Sequence, residues 1–395
     1  MSGQTKPRQT FLPFSPPLLG EEEIIEMIET LRSDWITTGP RTKKFEGEFA
    51  RLVGAQAALG LSSGTGALHT ALAAMGIGQG DVVITTPMTF CSGVHVIEQV
   101  GATPLLVDIQ RDTLNIDPFK IEENLRKTRD KKVKAILPVH FAGHPCDMDL
   151  IMDLAKRYQL FVLEDAAHAI PAKFNGRMIG AIGDLTAFSF YATKNMTTGE
   201  GGMLTGSRDL VEKARVYSLH GIDRDAWDRY SETGSWYYEV IASGFKYNMM
   251  DLQAAIGIHQ MRKLPQFMDR RRQIVKIYHQ AFSQLGEIEI PTEKTGVDHA
   301  WHLYILRLNL ERLSLSRDQF IQELRGRNIG SSVHYVPIHL HPYYRNNYGF
   351  KPEDFPVVYE EYQRMISLPL YPKMTDEDAY DVVSAVCDIV KGFRR

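Results

Sequence analysis

The sequence predicts an α/β protein built on a largely parallel, buried sheet, followed by a smaller α+β region. Two observations carry that expectation. Between about residues 20 and 260, short β-rich apolar runs alternate with amphipathic stretches, as they do when helices cover both faces of a parallel sheet. After a long helical pattern from roughly Met250 to Leu285, the chain changes character and strand-like and helical segments mix. Candidate strands of the first region are Ala57–Leu61, Val82–Thr85, Pro104–Asp108, Ala135–Val139, Leu160–Leu163, Ala187–Phe190 and Gly202–Thr205, enough for a mostly parallel seven-stranded sheet. Amphipathic stretches such as Ile121–Arg129 and Leu150–Tyr158 supply connecting helices. In the second region Leu303–Leu308 reads as a strand, a further strand is expected near Ser331–Tyr335, and Asp376–Lys391 reads as a closing helix. The expected division is an N-terminal arm over 1–20, a large domain over 21–262 and a small domain over 263–395.

Composition narrows the function classes. Hydrophobic residues make up 44% and charged residues 24% of the chain, with a formal net charge of -3. That balance is ordinary for a globular protein and supplies no basic field for nucleic acid. Cys91, Cys146 and Cys387 are odd in number, far apart and outside any metal-ligand spacing, which points to reduced thiols and a cytoplasmic setting. Residues 1–19 are polar and Pro-rich without the apolar core of a signal peptide, and no apolar run reaches bilayer length. The expectation is a cytoplasmic protein with no membrane and no nucleic-acid partner.

The most informative residue is Lys194, in Ser189-Phe190-Tyr191-Ala192-Thr193-Lys194-Asn195, followed by Thr198-Gly199-Glu200-Gly201-Gly202. A lysine in a Gly/Thr-rich segment is commonly just solvated. This one directly follows an apolar β-rich run and precedes glycines that allow close backbone approach. About thirty residues upstream, Val162-Leu163-Glu164-Asp165-Ala166-Ala167-His168 ends an apolar strand with an acid. A Schiff-base lysine paired with a carboxylate is what pyridoxal 5'-phosphate (PLP) chemistry requires. Asp165 and Glu164 alternate, so only one of them faces a given side of the sheet; Asp165 is assigned to the site and Glu164 to structure, although an N-cap is the commonest use of such an Asp. Ser62-Ser63-Gly64-Thr65-Gly66-Ala67-Leu68 joins a strand to a helix, where exposed amides bind anions. It lacks both the dinucleotide fingerprint and the P-loop lysine. Because ligands bind beyond the carboxyl ends of parallel strands, Asp165 and this loop converge on one crevice. Ser189 offers a hydroxyl to a phosphate or sits as a core hydroxyl, and Phe90 is expected to open a helix and stack on a ring, or simply to join the core. His299, His302, His334, His339 and His341 are concentrated near the C-terminus. With His339 and His341 placed on one strand face, metal is conceivable, but no carboxylate or Cys completes a ligand set, so substrate hydrogen bonding is preferred and no metal is expected.

These segments, taken together in order, resemble the DegT/DnrJ/StrS-type sugar-nucleotide aminotransferases, PLP enzymes of fold type I related in architecture to aspartate aminotransferase. The resemblance runs from Trp35-Ile36-Thr37-Thr38-Gly39-Pro40 to Leu368-Pro369-Leu370-Tyr371-Pro372. Within the family it looks closest to UDP-4-amino-4-deoxy-L-arabinose–oxoglutarate aminotransferases and spore-coat polysaccharide aminotransferases. It implies Lys194 as the covalent cofactor anchor and proton shuttle, Asp165 on the pyridine nitrogen and His168 near the ring hydroxyl. It likewise implies Gly64, Thr65 and Ser189 around the phosphate, Phe90 as the stacking aromatic, and Asn248 reaching the phosphate of a neighbouring subunit, hence a homodimer with shared sites. Trp35, Thr37, Gly39, His220, His334 and Tyr335 match segments lining the sugar-nucleotide side.

The implied reaction transfers the amino group of L-glutamate to a nucleotide-linked keto sugar, a UDP-4-keto sugar by this resemblance, giving 2-oxoglutarate and an amino sugar for cell-surface polysaccharide, lipopolysaccharide or other glycan. Three rival readings fit the residues less well. Sugar dehydratases of the same family replace the Schiff-base lysine, which Lys194 retains. A non-catalytic relative is opposed by the intact lysine, carboxylate and phosphate loop. A nucleotide-dependent dehydrogenase lacks its glycine fingerprint here.

Overall fold

A computed structural model of the chain describes residues 8–128, 131–223 and 237–395. Residues 1–7 of the expected arm and Arg129, the last residue of an expected helix, lie outside them. Helix α1 (Glu21–Arg32) begins with three glutamates and ends in an arginine, each charge matched to its end of the helix dipole. Helix α2 (Pro40–Val53) opens on proline and closes at Gly54, whose φ of 76° is the left-handed cap glycine adopts readily. The large α/β region then runs β1 (Ala57–Leu61), α3 (Gly64–Ala74), β2 (Val82–Thr85), α4 (Ser92–Gln99), β3 (Thr103–Leu106), α5 (Pro118–Lys127), β4 (Val133–Ile136), α6 (Met148–Tyr158) and β5 (Phe161–Asp165). A short hairpin, β6 (Lys173–Phe174) and β7 (Arg177–Met178), precedes β8 (Leu185–Ser189), β9 (Gly202–Gly206) and α7 (Arg208–Ser218).

Seven strands form one sheet in the order β1-β9-β8-β5-β4-β2-β3. Strand β9 runs antiparallel to both neighbours, and the other pairs are parallel. Alternation along each strand sends its side chains into two different cores. Leu59, Leu61, Val83, Leu163, Leu185 and Leu204 pack among Leu68, Leu72, Val211 and Ala214 of α3 and α7. On the opposite face Ala58, Ile84, Ile136, Val162, Phe188 and Met203 meet Phe45, Phe49, Ile151 and Leu154 of α2 and α6.

Helix α8 (Asp251–Phe282) runs without interruption through the expected boundary at 262 and accommodates Pro265. Beyond it come β10 (Ile288–Glu289), β11 (Val297–Asp298), β12 (Tyr304–Leu308), α9 (Arg317–Gly326), α10 (Pro342–Tyr348), α11 (Pro356–Arg364), β13 (Met365–Leu368) and α12 (Asp376–Phe393). Strands β10, β12 and β13 form a separate antiparallel sheet, while β11 joins the β6–β7 hairpin. The two sheets' surroundings are tied together. Asp108, just after β3, accepts from the first amides of α11 at Val357 (3.2 Å) and Val358 (3.0 Å) and from Lys120. Arg111 pairs with Glu360 and Glu361 of the same helix. Near the N-terminus, Leu12 is buried and exchanges backbone hydrogen bonds with Asn328 and Gly330.

Three expectations need correction. No strand forms at Ser331–Tyr335: Ser332 makes one bridge, to Ser367, before the chain turns away. His339 and His341 share no strand, since Ile338–Leu340 is a 3₁₀ turn that buries His339 while His341 caps the start of α10. Phe90 does not open a helix; α4 starts two residues later, with Cys91 as its cap. Among the described residues no helix is long and apolar enough to cross a membrane.

Candidate active site

The carboxyl ends of β1, β5 and β8 open onto a cavity of about 370 Å³. Gly64, Thr65, Phe90, Asp165, His168, Ser189, Lys194, His334 and Tyr335 all border it, so nine of the sequence-predicted residues meet in one place. Ser63, Thr89, Ser92, Glu200 and His302 border it too.

One wall is the N-terminus of α3. Ser63 caps it by accepting from Gly66 N at 2.9 Å, and the first-turn amides of Gly64 and Thr65 have no partner among the described residues. Two glycines allow this wall to close up. A Cβ on Gly64 would sit 2.9 Å from Cβ of Ser189, and one on Gly202 would sit 2.4 Å from the Ser63 carbonyl oxygen. Unpaired amides at a helix N-terminus, with a hydroxyl beside them, are an arrangement suited to anions.

The floor holds the ionisable groups. Asp165 ends β5 and is buried; its Oδ1 accepts from Ala167 N at 3.0 Å, and Oδ2 has no hydrogen-bond partner among the described residues. Burial raises its pKa, partly offset by the Ala167 amide and the charge of Lys194. Its neighbour Glu164 faces the other way and is fully engaged: Oε1 accepts from Gly183 N and Thr186 Oγ1, both at 2.8 Å, and Oε2 meets His140 Nε2 at 2.9 Å. Because Cys146 N donates to His140 Nδ1, Nε2 carries the His140 proton and donates to Glu164.

Lys194 sits on the turn after β8, its backbone N–H donating to Tyr191 O at 2.9 Å. Burial pulls its amine down to about 8, with the Asp165 carboxylate acting in the opposite sense. The next residue anchors the turn: Asn195 Nδ2 donates to Ile170 O (2.9 Å) and Ala300 O (2.7 Å). Around the amine stand three imidazoles, His168, His302 and His334, each kept neutral chiefly by burial and secondarily by neighbouring positive charge, that of Lys194 included. Tyr335 hydrogen-bonds His168 Nε2 at 2.9 Å, and Phe90, 56% exposed, lies 5.7 Å from the Tyr335 ring.

The remaining predicted residues lie outside this cavity. Asn248 Nδ2 donates to Thr38 Oγ1, and Lys246 Nζ donates to Asn248 Oδ1. Trp35 Nε1 donates to Thr38 O. The Asp251 carboxylate collects Gly39 N, Arg41 N, and both N and Oγ1 of Thr42, while the Thr37 carbonyl accepts from Asp251 N. His220 is exposed on a separate loop, tied to Phe245 O.

The geometry leads to the comparison with known proteins. A profile of the DegT/DnrJ/EryC1/StrS aminotransferase family matches residues 17–387. This chain belongs to that family. The spore coat polysaccharide biosynthesis protein SpsC of Bacillus subtilis is 51% identical over 387 residues, spanning 98% of each chain. Spr1654 of Streptococcus pneumoniae, described as a sugar aminotransferase and solved in its PLP form, superposes with a TM-score of 0.89 at 34% identity over 97% of this chain and 99% of that one. Helicobacter pylori PseC, an aminotransferase involved in the biosynthesis of pseudoaminic acid, superposes with a TM-score of 0.89 at 26% identity over 98% and 100%. As a DegT/DnrJ/EryC1/StrS member the protein is a PLP-dependent sugar aminotransferase of fold type I. Its residues fit the cofactor. An amine, a carboxylate oxygen without a partner, a pair of free helix-terminal amides and a buried, unpartnered His168 Nδ1 all surround one cavity.

Proposed function

We propose that this enzyme moves the amino group of L-glutamate onto a nucleotide-linked keto sugar, a UDP-4-keto sugar in the first instance, for cell-surface polysaccharide or glycan synthesis in the cytoplasm. The observation that carries the chemistry is the burial of Lys194 beside Asp165 in a cavity whose rim is an unsatisfied helix N-terminus. The printed role of SpsC in polysaccharide biosynthesis supports the destination.

Bound pyridoxal phosphate supplies an aldehyde that captures amines and a ring that accepts the electrons released when a Cα proton leaves. Lys194 Nζ would hold the cofactor covalently and would serve as the base that takes the donor's Cα proton and returns it. Its lowered pKa lets the neutral amine exist near neutral pH. Asp165 Oδ2 would keep the pyridine nitrogen protonated by its negative charge. Gly64, Thr65 and Ser189 would bind the phosphate, Phe90 would stack on the ring and His168 would reach its hydroxyl. His334 and Tyr335 line the sugar side, so residues 21–262 supply the cofactor groups and 263–395 the facing wall. Trp35, Thr37, Gly39, His220 and Asn248, which do not border their own chain's cavity, are assigned to the site of a second subunit in a homodimer.

The test is to incubate the enzyme with L-glutamate and a panel of UDP-, dTDP- and GDP-linked 4-keto and 3-keto sugars and measure 2-oxoglutarate. Release of more than one equivalent per subunit, with a UDP-4-keto sugar preferred and no such release from Lys194→Ala, is the expected result. Release limited to one equivalent with every sugar nucleotide in the panel would overturn the acceptor assignment.

A further inference from the structure

Two buried histidines in the cavity wall make opposite kinds of hydrogen bond. His302 is settled by its partner. Both amide protons of Asn195 go to carbonyl oxygens, at Ile170 and Ala300, so the 3.2 Å contact between Asn195 Oδ1 and His302 Nδ1 requires a proton on that nitrogen. The neutral ring then keeps a lone pair on Nε2. It lies 4.3 Å from the His168 ring, tilted by 38°, and limits how that ring can turn.

Among the described residues His168 has one hydrogen-bond partner, Tyr335 Oη at Nε2, and its buried Nδ1 has none. Two arrangements are open to the neutral pair. If Nε2–H donates to the tyrosine, the phenolic proton and the Nδ1 lone pair are both left without partners inside the protein. If the phenol donates to Nε2, only the Nδ1–H is unpaired. Buried polar groups that find no partner are costly, so the second arrangement prevails. The acidity order agrees, a phenol being the stronger proton donor of the two.

We propose that Tyr335 is a positioning residue which, by donating its hydroxyl proton to His168 Nε2, fixes His168 as the Nδ1–H tautomer and presents that N–H to an anionic or phenolic oxygen of the bound cofactor. This rests on the cofactor site described above but goes further, because it gives a residue from the C-terminal region a function in setting the cofactor's hydrogen bonding. Tyr335 thereby couples the substrate-facing wall to the cofactor-facing one.

Full-length protein labelled with ¹⁵N-histidine, studied by long-range ¹H–¹⁵N correlation before and after PLP addition, reads the tautomers. His168→Gln and His302→Gln identify the two resonance sets. Wild type is expected to show a pyridine-like Nε2 and a protonated Nδ1 at His168 in both states, and protonated Nδ1 at His302. Tyr335→Phe should redistribute the His168 proton between its nitrogens, leave His302 unchanged, and lower kcat about tenfold with KM for glutamate within about twofold. A protonated Nε2 at His168 in wild type overturns the inference, as does a Tyr335→Phe spectrum identical to wild type. Should the variant misfold, the wild-type tautomer alone decides. Visible absorbance of the same PLP-treated sample reports cofactor attachment separately, so failure of the cofactor reading is seen independently of the tautomer.

Discussion

The cavity at Lys194 and the cluster at Asp251 are both rich in buried polar groups, yet they use them in opposite ways. Asp251 accepts four hydrogen bonds from Gly39, Arg41 and Thr42, and its surroundings close on themselves. In the cavity, Asp165 Oδ2, His168 Nδ1 and the amides of Gly64 and Thr65 are left without partners among the described residues. Glu164 and Asp165 show the same contrast one residue apart, the first with both oxygens engaged and the second with one. Polar groups whose bonding is complete belong to the scaffold. Where a carboxylate oxygen, an imidazole nitrogen and helix-terminal amides are left incomplete around one cavity, they mark where a ligand finishes the pattern.

The comparison breaks most decisively at Lys194. Lys194→Ala should reduce turnover by about 10⁴-fold or to background, with the denaturation midpoint close to wild type. Retained transamination would reassign the site. Asp165→Asn keeps the shape and removes the charge, so kcat should fall about 10²- to 10³-fold with stability preserved, as measured by steady-state kinetics and urea melts. Asp251→Ala is the counter-test: a loss of about 3 kcal/mol in urea denaturation, from the amides stripped of their acceptor, where Asp165→Asn leaves the melt unchanged.

A smaller effect concerns pH. Only the neutral amine attacks an aldehyde, and burial lowers the Lys194 pKa from 10.5 to about 8. Below that value the amine is protonated and inert. PLP uptake by cofactor-free protein should therefore quicken as pH rises and level off above about 8 instead of continuing towards 10.5. Since the Asp165 charge opposes the lowering, Asp165→Asn should move the plateau to lower pH. The smallest change is expected for Ser63→Ala, a cap loss of about 1 kcal/mol together with weaker phosphate retention, read by dialysis against cofactor-free buffer.

The sheet was legible because its strands are short apolar runs closed by turn residues; β1 and β2 coincide with the expected Ala57–Leu61 and Val82–Thr85. The run at Ala135–Val139 misled by register, since Val133 already pairs with Val82 and Lys134 is skipped by the ladder, while Leu137 and Val139 extend past β4. Ser331–Tyr335 has strand-like composition but no continuous partner, and pairing is not written in a single segment. Within the site, Lys194, Asp165 and the α3 turn were readable because local chemistry and strand ends locate them. His302 was visible only as one of five histidines; what distinguishes it is Asn195, over a hundred positions away. The Trp35–Gly39 and Asn248–Asp251 association also joins distant stretches that no spacing rule connects.

Helix α11 carries one more implication. Asp108 caps it and Arg111 grips it from the large sheet's side, so the wall bearing His334 and Tyr335 is bolted to the wall bearing His168. An incoming sugar meets a standing cleft whose opposite banks are already in register, and its binding energy goes to recognition instead of to drawing a jaw shut.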